Sequence, residues 1–236
     1  MRATRLLIMA TLAVCFIAAS VAAEPAKLRD DIKANKVLFL GNSITRHPPL
    51  ASIGWTTDWG MAASALDKDY VHLVSASLAE LTGHKPEVQI ANIADFERTF
   101  GTYDFSVKLK EHFDFKADLV IVAIGENVPA LGTEELKTQF KAALTKLLTA
   151  LKANGQPALF VRSCFWADKT KDDIIQQACA AAGGTFVDIG TLGKDESNYA
   201  RSERKIEHNG VAAHPGDKGM KAIADAIVNA MKTSAK

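Results

Sequence analysis

Five short apolar runs, at residues 36–40, 88–94, 118–124, 157–162 and 185–189, alternate with longer segments of helical spacing, and this alternation narrows the possible folds most. The first run, Lys36-Val37-Leu38-Phe39-Leu40, is too short for a helix, and the third, at 118–124, is an almost unbroken apolar stretch. Both predict parallel strands covered on two faces. The spacing of apolar residues predicts helices over 60–81, 133–154, 171–182 and 217–231. Thr133 serves as a cap, Gly83 and Gly155 as stops, and Leu136, Phe140, Leu144 and Leu147 share one helical face. Strands alternating with helices build βαβ units, so the expected class is α/β, with a five-stranded parallel sheet and helices on both faces. Residues 96–115 read as an irregular segment plus a helix, and 190–210 resist assignment.

Residues 1–23 stand apart. Arg2 and Arg5 precede an apolar run from Leu6 to Ala19, and Val21-Ala22-Ala23 offers small residues for cleavage before Glu24. This is the pattern of a secretory leader, and it implies an exported, periplasmic or extracellular protein with one domain over 24–236. Leu12-Ala13-Val14-Cys15 is a poor lipid-attachment box because Val14 is too large, so no stable membrane anchor is expected. Without Arg2 and Arg5 the chain keeps 26 basic against 27 acidic residues, a balance that recruits neither nucleic acid nor anionic membrane. Cys164 and Cys179 then remain, which an exported chain holds either as a disulfide or as two buried thiols.

Polar residues gather where the apolar runs stop. Ser43 follows the first, Asn92 and Asp95 close the second, Asn127 follows the third, and His214-Pro215-Gly216 precedes the last helix. Parallel connections bring strand ends to one edge of the sheet, where ligands bind in such folds. Two readings stand for Asn42-Ser43: the start of a turn or helix cap, and a nucleophile awaiting a base and an oxyanion site. No His, Cys or carboxylate spacing suggests a metal, and no cofactor motif is present.

Gly41-Asn42-Ser43-Ile44, Asn92-Ile93-Ala94, Gly125-Glu126-Asn127 and Ala213-His214-Pro215 together resemble the blocks of the SGNH (GDSL-type) hydrolases, in their order and over nearly the whole mature chain. The resemblance implies a three-layer flavodoxin-like fold and a carboxylic ester hydrolase. It makes Ser43 the nucleophile and His214 the base, with an oxyanion hole from the Ser43 N–H, a backbone N–H near Ala94 and the Asn127 amide. Three positions depart from the family pattern: Asn42 replaces an aspartate, Ala94 a glycine, and Val211 the acid that orients the histidine. Either Glu207 or Asp217 substitutes for that acid, or a backbone carbonyl does and the site runs as a Ser-His dyad. Open space beside the imidazole would let Val211→Asp leave the fold intact.

Other residues carry two readings each. Arg46 and His47 are substrate contacts or exposed loop charges, and Glu126 faces the cleft or caps a turn. Trp55 and Trp59 anchor their loop or offer one sugar-stacking edge, Trp166 reads as packing, and Asp95, Glu97 and Arg98 read as a local ion-pair group. The expected function is removal of a small acyl group, acetyl above all, from a carbohydrate. The alternatives are a lipid esterase or thioesterase and a non-catalytic glycan-binding protein.

Overall fold

The computed structural model describes residues 27–233; the leader expected over 1–23 lies outside them. The apolar runs form strands β1 (Lys36–Gly41), β2 (Glu87–Asn92), β3 (Leu119–Ala123), β4 (Ala158–Arg162) and β5 (Thr185–Val187). All neighbours are parallel, in the order β2-β1-β3-β4-β5. Gly41 pairs with Asn92 on one side and Ala123 on the other, so three strands end level with one another. The chain winds outward from β1 in opposite directions, and such a reversal opens a crevice at the carboxyl ends of the strands flanking it.

Around the sheet lie α1 (Tyr70–Thr82), α2 (Ala94–Thr99), α3 (Phe105–Lys108), α4 (Lys110–Asp114), α5 (Glu134–Ala153), α6 (Lys169–Ala181), α7 (Ala200–Glu203), α8 (Asn209–Ala212) and α9 (Asp217–Met231). Alternate strand residues face opposite layers. Leu38, Leu40, Val120 and Val122 pack with Phe140, Leu144 and Leu147 of α5 and Ile175 of α6. Val37, Phe39, Leu119 and Ile121 pack with Val74 and Leu78 of α1 and Ile223 and Ile227 of α9. Each fully buried side chain of this size contributes roughly 1.5–3 kcal/mol, so the two-sided strands carry much of the stability.

Some boundaries differ from the sequence reading. The helix expected from residue 60 starts at Tyr70, because Asp69 caps it through the His72 N–H (2.8 Å) while also holding the Gly60 N–H (3.0 Å) in the preceding loop. The second strand stops at Asn92 rather than 94, since the chain turns there into α2. Residues 96–115 contain three short helices in place of one. Cys164 and Cys179 are buried free thiols, not a disulfide. Cys164 Sγ fills the space a side chain at Gly125 would need, and Cys179 Sγ does the same at Gly184.

Gly41 ends β1 where there is no room for a side chain: a Cβ would lie 2.7 Å from Thr45 Cβ and 2.9 Å from the Ala123 carbonyl oxygen. Gly41→Ala therefore forces the turn at residues 42–45 away from β3. We expect a loss of about 1–3 kcal/mol, read as a lowered urea midpoint. An unchanged midpoint would mean that the turn yields freely.

Candidate active site

Ser43 emerges from β1 on a turn tied by Thr45 N–H and Arg46 N–H to the Asn42 carbonyl (2.9 and 3.0 Å). Asn42 Oδ1 takes the Ile44 N–H (3.1 Å), and the Ser43 carbonyl takes the Met61 N–H (2.8 Å). His214 is pinned from the opposite end of the chain: its N–H donates to Val211 O (3.0 Å) and its carbonyl accepts from Ala200 N–H (2.9 Å). These constraints place Ser43 Oγ 2.8 Å from His214 Nε2.

The other ring nitrogen decides the tautomer. His214 Nδ1 lies 2.7 Å from the Gly210 carbonyl oxygen, which only accepts, so Nδ1 carries the proton and Nε2 is the free acceptor for the Ser43 hydroxyl. Gly210 belongs to the last turn of α8, where carbonyls lack helical partners, and the imidazole satisfies one of them. The Trp166 ring meets the imidazole edge-on, with centroids 5.2 Å apart. Burial pushes the His214 pKa down to about 4, against the opposing pull of Gly210 and Glu126, so the ring is a neutral base at neutral pH.

Neither candidate acid takes part. Asp217 is held by Ser64 through its N–H (2.8 Å) and hydroxyl (2.5 Å), and exposed Glu207 has no contact with the ring.

The three expected oxyanion donors differ in what they have left to give. The Ser43 N–H has no partner among the described residues. Asn127 Nδ2 donates one hydrogen to Glu97 Oε2 (2.8 Å) and keeps the other. The Ala94 N–H is committed to Asn92 Oδ1 (2.9 Å), so it is not a free donor; Asn92 Nδ2 in turn donates to Arg46 O (2.7 Å), tying the end of β2 to the Ser43 turn. A cleft of about 440 Å³ opens here, and Ser43, Asn92, Ala94, Asp95, Asn127 and His214 all border it.

Other expected contacts lie elsewhere. Arg46 is spent on Asp58 through Nε (2.8 Å) and Nη2 (2.6 Å). Trp55 is buried, donates its indole N–H to His47 O (2.9 Å) and packs edge-on to Trp59, so it anchors the loop and offers no stacking face. Glu126 lies below the cleft, paired with Arg162 at 2.5 Å and accepting from Asn42 Nδ2 (2.7 Å) and Phe165 N–H (2.9 Å). Burial pushes its carboxyl up, but the Arg162 charge and these donors outweigh burial and hold it below the usual range.

Glu97 was misread by sequence reasoning. Only Asp95 and Arg98 form the expected exposed pair (3.7 Å), while Glu97 is wholly buried. It accepts from Asn42 Nδ2 (3.2 Å), Gly125 N–H (2.6 Å) and Asn127 N–H (3.2 Å), besides Asn127 Nδ2. A signal was present: Ile93, Phe96 and Phe100 make an apolar helical stripe, and Glu97 occupies its inward phase.

Solved structures resemble this arrangement of elements. A Bacteroides uniformis protein described as a GDSL-like lipase matches with a TM-score of 0.53 at 12% identity, over 83% of this chain and 94% of that one. A lipase, Lip_vut3, from a goat rumen metagenome gives 0.52 at 10% identity, over 85% and 99%. An active-site mutant of a family two carbohydrate esterase from Clostridium thermocellum gives 0.50 at 14% identity, over 87% of this chain and 64% of that one, so this chain spans under two thirds of its length. The fold is that of the GDSL-like lipases. No protein-family model and no curated protein matches the sequence.

Within the GDSL-like fold, the departures at 42 and 211 acquire physical reasons. Asn42 Nδ2 bridges Glu97 and Glu126, which an aspartate could not do without placing three carboxylates together. Val211 is 4% exposed and packs with Trp55, Met61, Ala62 and Ala200 at the rim of the cleft, so most of its side chain faces apolar neighbours. Val211→Asp should therefore cost roughly 2–4 kcal/mol by burying an unpaired carboxylate, visible as a lowered urea midpoint that recovers in Val211→Ile. Wild-type stability in the aspartate variant would show that this cluster opens to water.

Proposed function

We propose that this protein is a serine esterase that removes a small acyl group, acetyl above all, from a carbohydrate in an exported setting. The observation that carries the reading is the 2.8 Å contact between the Ser43 hydroxyl and the unprotonated Nε2 of His214, beside two N–H groups with hydrogens to spare. In the reaction Ser43 Oγ attacks the acyl carbon and its proton passes to Nε2. The carbonyl oxygen gains charge facing the Ser43 N–H and the Asn127 amide. Nε2 then returns the proton to the departing alcohol, and a water repeats the sequence on the acyl-enzyme to release the acid. A carbonyl-braced imidazole is a weak base, adequate for an ester with a fair leaving group and poorly matched to an amide.

The carbohydrate assignment is supported by polar side chains at the cleft, His47, Asp95, Arg98 and His208, and by the carbohydrate esterase among the structures of the same fold. A lipid ester is the second reading, favoured by Ile53, Met61 and Val211 at the same cleft and by the lipases of this fold.

p-Nitrophenyl esters of increasing chain length separate these readings. We expect acetate to be turned over faster than octanoate, and Ser43→Ala to lose at least about 1,000-fold in kcat/KM. Faster octanoate turnover moves the assignment to lipids, and equal rates for wild type and Ser43→Ala leave a non-catalytic glycan-binding protein.

Because only the neutral imidazole accepts the Ser43 proton, kcat/KM should stay level from pH 7 to about 5 and fall tenfold per pH unit below about 4. An acid limb near pH 6.5, with the protein still folded, would contradict the depressed His214 pKa.

A further inference from the structure

Resting on the esterase reading, we infer that Glu97 and Arg98 are positioning residues that lock the polarity of the Asn127 side-chain amide, so that a hydrogen and never its carbonyl faces the developing oxyanion.

A primary amide has two near-isosteric ends, and a half-turn about its last bond exchanges a donor for an acceptor. In an oxyanion site that exchange would set a carbonyl dipole against developing negative charge. Asn127 is clamped between two groups of opposite capacity. Arg98 Nη2, which only donates, lies 3.2 Å from Asn127 Oδ1, and Glu97 Oε2 lies 2.8 Å from Nδ2. Turning the amide would press its NH2 against a guanidinium and its carbonyl against a carboxylate, losing both bonds and creating two repulsions. Only one orientation satisfies both neighbours. It spends one Nδ2 hydrogen on Glu97 and leaves the second for the cleft that Asn127 borders.

The backbone is held by the same carboxylate. Glu97 Oε1 accepts from the Gly125 N–H and the Asn127 N–H, so the turn carrying Asn127 and the amide at its tip share one anchor. Arg98 has another partner in Asp95, but at 3.7 Å between exposed side chains that pair is worth little.

A double-mutant cycle with p-nitrophenyl acetate tests the lock. Asn127→Ala should lower kcat about 100- to 1,000-fold by removing the donor. Glu97→Gln, which offers an NH2 where the amide needs an acceptor, should lower kcat about 10- to 100-fold with KM within about twofold of wild type. Added to Asn127→Ala, it should change kcat by less than about threefold, because no amide is left to orient. Should Glu97→Gln not fold, Arg98→Met on the exposed side carries the same cycle, with a loss of about three- to tenfold that Arg98→Lys restores and Asn127→Ala masks. Equal losses in both backgrounds, or an Asn127→Ala enzyme with wild-type kcat, overturn the lock. Ser43→Ala with wild-type turnover would instead overturn the esterase reading beneath it, and the lock with it.

Discussion

Two carboxylates and one guanidinium, all buried, underlie everything at the active edge of the sheet. Glu97 comes from α2, Glu126 follows β3, and Arg162 ends β4, while Asn42 at the end of β1 donates to both acids. Each carboxylate is desolvated, and each is answered by hydrogen bonds from the strand ends around it. Burial and the charge of Glu126 push the Glu97 carboxyl up, while the Gly125 and Asn127 donors draw it back. Glu126 is the more firmly ionised of the two, because Arg162 lies against it. The Ser43 turn, the Gly125–Asn127 turn and the segment after β4 are thereby tied to one charged hub, and movement of any of them disturbs the others.

The histidine is held by a different principle. No carboxylate reaches its Nδ1; an unfilled carbonyl of α8 does, and the backbone on either side is pinned at Val211 and Ala200. A carbonyl fixes the tautomer and the ring plane as well as an acid would. It lacks the full negative charge with which a carboxylate would stabilise an imidazolium. The ring is rigidly aimed but weakly basic, which under the proposed esterase reading favours esters whose leaving alcohol needs little assistance. Trp166 against the ring adds shape without charge.

Much of this was legible in the residues. Continuous apolar runs identify two-sided strands because nothing else buries both faces of so short a segment, and the closing helix runs over 217–231 as its periodicity indicates. Thr133 caps its helix as its type and position imply. Ser43, Asn127 and His214 were visible because polar residues directly after buried strands, or just before a helix, have few structural reasons to be there. What escaped was decided by orientation. Glu97 sits between Asp95 and Arg98, and only the phase of a six-residue helix turns it inward with Phe96 while Asp95 and Arg98 face solvent. Trp55 could stack on a ligand or fill a core with equal ease, and its burial follows from the long loop folding against α7 and α8 through Ala200 and Val211. The brace at Gly210 is a backbone atom, which no residue type announces.

The three departures from the family pattern do not carry equal weight. Ala94 changes little, because its N–H is already committed to Asn92 and a methyl group leaves that bond in place. Val211 removes a charge and adds packing beneath the loop. Asn42 is the informative one, since it makes sense only beside Glu97: a carboxylate at both positions would face Glu126 as well, with a single guanidinium to neutralise all three. Burying two acids and an arginine in this way is not a strong source of stability, because apolar residues of the same volume generally serve as well. What such a cluster supplies that packing cannot is direction, since a carboxylate dictates which end of each neighbouring amide points toward it. At the edge of this sheet, that turns the N–H donors of Asn42, Gly125 and Asn127 toward one buried carboxylate, Glu97.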